Sequence, residues 1–175
     1  MHLSSYIGKY WTGAEVIYAV IIAMTFTSVL RTYIAIPGGS YFPMIYSALF
    51  CCIAWGIADG SFYTEEKRLE LYRDLILHLA ATGKKETVST RDALYMILGT
   101  SLISTASGVI VVLPFFLSDK LIHALAMSNL LGILLLFITG YYRTYEKDLY
   151  GKVRSGFGTT VIGMSIAAIT IVLGG

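Results

Sequence analysis

Two carboxylates sit inside apolar runs: Glu15 in "AEVIYAVIIAMTFTSVL" and Asp59 in "CCIAWGIADG", residues 51–60. An ionisable group in a membrane-spanning run costs about 2.5 to 3.5 kcal/mol on insertion scales, so such groups face a bundle interior and tend to handle ions or protons. Two acids at similar depth can share a cation or a proton. Each also has a local alternative. Glu15 could cap a helix N-terminus, where the dipole favours negative charge, and Asp59 could belong to a cytoplasmic helix end, although there the dipole opposes it.

Further candidates flank these acids. At spacings of three and four, Cys52, Trp55, Asp59 and Tyr63 share one helix face. A thiol followed by a carboxylate offers soft and hard ligands to a first-row divalent metal; the other role open to Cys52 is that of a small buried hydrophobe. Met24, Thr25 and Thr27 place a thioether and two hydroxyls near the middle of the first apolar run, where packing is again the alternative. Glu66, Glu70, Asp74 and His78 recur every four residues and form a slowly drifting stripe that could capture a divalent metal. As a solvated face, the same stripe would pair Glu70 with Arg73. His123, Ser128 and Asn129 are candidates for hydrogen bonds between helices.

The elements that must position these groups are helices in a membrane. Of 175 residues, 56% are hydrophobic and 14% charged, with a mean hydropathy of +0.71, whereas soluble domains carry roughly 25% charged residues. A span needs about 20 mostly apolar residues. Five segments qualify: 14–36, 41–63, 93–117, 120–142 and 156–174. The expectation is an all-α polytopic protein, one membrane domain over residues 1–175. A charged segment, 64–92, continues from the second span as a helix ending near Gly83 and lies in the cytoplasm before the third. "PGGS" supplies the first turn.

Eleven of the 13 lysines and arginines fall in the N-terminus, 64–92 or 143–155, leaving Arg31 and Lys120 on the other side. The positive-inside rule then puts the N-terminus in the cytoplasm and the C-terminus outside, in the cell membrane. "MHLSSYIGKYWTGAE" lacks the pattern of a signal peptide, so the first run is read as mature structure. A net charge of +2 gives no footprint for nucleic acid. Cys51 and Cys52 are neighbours and cannot staple distant parts of the chain. With no phosphate loop, catalytic triad or closed zinc site in the sequence, an enzyme is not expected.

"EVIYAVIIAMTFTSVLR", followed by "CCIAWGIADGSFY", resembles small prokaryotic members of the vacuolar iron transporter family that lack the full cytoplasmic metal-binding domain. The matching residues are Glu15, Tyr18, Thr25, Phe26, Thr27, Cys51, Ala54, Trp55, Gly56, Asp59 and Gly60. The resemblance implies a homodimer of five-helix protomers that exports ferrous iron or manganese from the cytosol in exchange for protons. Its ions would pass between the two first helices, past an acid most nearly matched by Glu15. The methionine of the family's second span has no match at mid-depth, where Cys51 or Cys52 stands.

The combined expectation is a divalent metal transporter with Fe2+ or Mn2+ as cargo and no permanently bound cofactor. Glu15, Met24, Thr25, Cys52 and Asp59 would line the ion path, and Glu66, Glu70, Asp74 and His78 would gather metal. A non-transporting membrane scaffold that docks a partner through 64–92 and an uncoupled cation channel are the rival expectations.

Overall fold

In a hydrocarbon layer every backbone N–H and C=O must find its partner within the protein, which favours uninterrupted helices. The computed structural model describes residues 9–33, 40–78, 89–144 and 148–173, and among them the chain is all-helical. The six helices are α1 (Lys9–Tyr33), α2 (Phe42–His78), α3 (Thr90–Val112), α4 (Pro114–Leu117), α5 (Leu121–Arg143) and α6 (Leu149–Leu173). Four contain stretches long and apolar enough to cross a membrane: Trp11–Leu30, Phe42–Lys67, Thr90–Val112 and Leu121–Arg143. The fifth expected span, 156–174, falls on α6, which is 25 residues long and is not one of those four.

Three boundaries carry information. α1 is already helical at Lys9, so Glu15 lies more than a full turn inside the helix rather than at its cap. α2 runs without a break from the second apolar stretch into "TEEKRLELYRDLILH", which places Asp59 in a helix interior, far from either end. The third apolar run is not continuous to residue 117 as expected. Pro114 lacks the amide hydrogen a helix interior requires, so α3 stops at Val112 and the proline opens the short α4 as its first residue. At the other end of α3, Ser89 accepts a hydrogen bond from the Arg91 amide, and Asp92 lies in the first turn, where the dipole favours it.

α1 is the central element, packed against α2, α3, α5 and α6. Its Ala19, Val20, Ala23 and Leu30 are fully buried, together with Ile45, Val111 and Leu136 from the surrounding helices. α2 and α3 meet along a seam of small residues. A side chain at Gly56 would come within 2.5 Å of the Ser101 Cα, and one at Gly60 within 2.6 Å of the Ile97 Cα. That approach lets the Thr100 hydroxyl donate to the Gly56 carbonyl at 2.8 Å and the Ser104 hydroxyl to the Cys52 carbonyl at 2.9 Å. Small residues are used in this way where helices pack in lipid.

The pairings also fix direction. Cys52 lies against Gly108 while Gly60 lies against Ile97, so α2 and α3 are antiparallel. Gly13 meets Arg143 and Gly132 meets Met24, so α1 and α5 are antiparallel too. α6 returns along α5, with the Ser155 hydroxyl donating to the Gly140 carbonyl at 2.9 Å and Gly163 against Leu136. The outer surface is apolar, with Phe50, Phe62, Leu102, Ile122 and Leu130 exposed. Apolar area on that scale marks a surface that meets lipid or another protein.

Candidate functional site

Because α1 and α2 are antiparallel neighbours, residues equally far from the middle of each span lie side by side. At 1.5 Å per residue, Glu15 is about 8 Å from the midpoint of Trp11–Leu30 and Asp59 about 7 Å from that of Phe42–Lys67, on the same side. The two carboxyl groups lie close enough to interact electrostatically. With α1 helical from Lys9 onward, Glu15 lies further inside its helix than the expected span 14–36 put it.

Glu15 is fully buried. Its Oε1 accepts a hydrogen bond from the Tyr63 phenol at 3.1 Å. Its Oε2 is also buried and receives no hydrogen bond among the described residues. Asp59 is only half-buried. A buried acceptor left without a donor costs about 1 to 3 kcal/mol, more for a charged group. Two adjoining carboxylates also repel unless a cation or a proton lies between them. The arrangement can therefore hold a small cation or a shared proton, with oxygen ligands of the kind that suit hard divalent ions.

Aromatic pairs bracket the acids. Trp11, one turn before Glu15, packs against Tyr63, one turn after Asp59, with ring centroids 4.2 Å apart and planes inclined at 46°. On the other side of the acids, Tyr18 and Trp55 meet edge to face at 6.1 Å. Each pair joins one residue of α1 to one of α2.

Comparison with family models, with curated proteins and with solved structures finds no match.

The remaining sequence candidates fall elsewhere. The Cys52 thiol is buried, donates to the Ala19 carbonyl at 3.7 Å and packs on Gly108, two turns from Asp59. The Met24 thioether packs on Gly132 of α5, and the half-buried Thr25 lies nearly three turns from Glu15. Glu66 is exposed on the continuation of α2. The backbone of Glu70, Asp74 and His78 is helical, but their side chains lie outside the described residues. Among the described residues no group of three or more histidine, cysteine, aspartate and glutamate side chains is placed to hold a metal. Ser128 Oγ and Asn129 Oδ1, candidates for bonds between helices, are buried without a partner among the described residues. His123 is exposed.

The bond from Tyr63 and its ring contact with Trp11 were not assigned from sequence. The signal was there: Trp11 precedes Glu15 by four residues and Tyr63 follows Asp59 by four, which puts both aromatics on the acids' own faces.

Proposed function

We propose that this chain is a membrane transporter that exchanges a divalent metal cation, Fe2+ or Mn2+, for protons at the Glu15–Asp59 pair. The observation that carries the reading is the fully buried Glu15, with one oxygen bonded by Tyr63, the other without a donor among the described residues, and the Asp59 carboxyl beside it. An acid in a membrane-spanning helix is a functional-site candidate in its own right, and a nearby second acid names its partner. Exchange follows from the same chemistry: cation and protons neutralise one pair of carboxyls, so each leaves when the other arrives.

Topology belongs to the same proposal. α6 is the fifth span, supported by its antiparallel course along α5. The lysine and arginine distribution puts the N-terminus in the cytoplasm and the C-terminus outside. Glu66, with Glu70, Asp74 and His78 on the same continuous helix, then extends toward the cytoplasm as a metal-gathering arm. A homodimer is supported by the outer face at the site. Asp59 is half-buried there, and its neighbours Tyr18 and Trp55 are 44% and 43% exposed. A carboxyl open to lipid is costly, and a second copy over this face would cover it and supply the ligands that two acids alone do not.

The test is transport by the purified protein in liposomes, with Mn2+ entry and internal pH followed together. The reading predicts Mn2+ uptake with opposite proton movement, and loss of both in Asp59→Asn. A wild-type protein that moves no Mn2+ would remove the transport reading, and unchanged uptake in the variant would remove the acid pair from the path.

A further inference from the structure

The two aromatic layers around the acid pair differ in closure. The backbones of Trp11 and Tyr63 stand about 6 Å along the helix axes from those of Glu15 and Asp59, one helical turn toward the N-terminal end of α1; Tyr63 is 8% exposed, Trp11 is half-buried and their rings are in contact. Tyr18 and Trp55, on the opposite side, are both well exposed and meet only at an edge. Tyr63 is also the aromatic that bonds directly to an acid.

We propose that Tyr63 is a latch: its phenol, held to Glu15 Oε1 and backed by the Trp11 ring, closes the acid pair on the side of the α1 N-terminus and swings away when a cation takes the Glu15 carboxylate. The inference rests on the transport reading for the identity of the cation, but the closure itself rests on the geometry. A ligand shifts a conformational equilibrium only through different affinities for the two states, and here the difference has a structural source. The phenolic hydrogen points at Oε1, so a cation that coordinates the carboxylate through both oxygens, Oε1 as well as Oε2, is repelled by that hydrogen and competes with it at Oε1. Releasing the phenol also releases the ring that packs on Trp11. Tyr63 is thus a positioning residue for the acid pair, acting on access and on Glu15 orientation.

The chain has two tryptophans, so Trp55→Phe leaves Trp11 as the sole reporter. In nanodiscs of that variant, the iodide-dependent slope of Trp11 quenching measures its exposure to water, and at fixed Mn2+ the slope separates exposure from any direct effect of the metal. Adding Tyr63→Phe keeps the ring but removes the bond. Loss of a hydrogen bond to a carboxylate shifts a local equilibrium about ten-fold, which should raise the slope about two-fold or more without metal. Mn2+ should raise it in the parent and leave it unchanged when Glu15→Gln is added. An unchanged slope in the Tyr63→Phe protein overturns the latch. So does a parent slope insensitive to Mn2+ in a protein whose liposomes take Mn2+ up. A raised slope in Tyr63→Phe with no Mn2+ uptake by the wild type leaves the closure standing and removes the transport reading.

Discussion

Two neighbouring flanks of α2 carry polar groups into apolar surroundings. Along the flank that meets α3, Thr100 and Ser104 donate to the carbonyls of Gly56 and Cys52, and every polar atom named in that seam has a partner within the protein. Along the flank that meets α1, Glu15 keeps a buried oxygen without a donor among the described residues, and a second carboxyl stands against it. Cys52 sits where the flanks join, with its thiol on Ala19 of α1 and its carbonyl bonded by Ser104 of α3. The difference separates polar residues whose partners are supplied within the fold from a buried acceptor that the described residues leave unmet.

That contrast can be broken at either flank. The largest effect is expected at the acids. Removing one of the two charges that would face a bound cation should cost about 3 kcal/mol of cation binding, so Glu15→Gln and Asp59→Asn should lower Mn2+ uptake by about two orders of magnitude or more. Stability should move the other way. Glu15→Gln substitutes a neutral amide for a carboxyl with an unmet acceptor, and its thermal unfolding in detergent should be unchanged or higher, as where an active site trades stability for function. A variant that lost uptake only because it unfolded would erase the distinction between the flanks.

At the seam the pattern reverses. Gly56→Leu forces a side chain against the α3 backbone; overpacking of this kind costs roughly 1 to 3 kcal/mol or more, read as a lower unfolding temperature, with uptake lost only in proportion to the unfolded fraction. Ser104→Ala removes one hydrogen bond between helices and should cost about 0.6 to 1.7 kcal/mol, with uptake retained. The smallest change is expected for Cys52→Ala. Its thiol faces the Ala19 carbonyl and Gly108 rather than Asp59, so Mn2+ uptake should stay within about a factor of two, as for a small buried hydrophobe. A larger fall would place the thiol in the ion path.

The sequence carried some of this and withheld the rest for physical reasons. Four apolar runs are visible because the length of a span is set by the membrane, and the matched level of Glu15 and Asp59 follows from counting along antiparallel neighbours. The break at Leu113 was hidden inside a run apolar throughout, with Pro114 as its one signal. The roles of Met24 and Cys52 were not legible. Periodicity places a residue on a face, but which helix that face meets depends on where glycines let neighbours approach, here Gly132 for Met24 and Gly108 for Cys52. Tyr63 could be placed beside Asp59 on α2, yet its bond goes across to Glu15 on α1.

The most direct test of the central claim is anomalous scattering from crystals of the protein grown in lipid and soaked with Mn2+. The acid-pair account predicts a peak within coordinating distance of both the Glu15 and Asp59 carboxyls, absent in Asp59→Asn. Saturating Mn2+ that produced peaks elsewhere and none at this pair would contradict it.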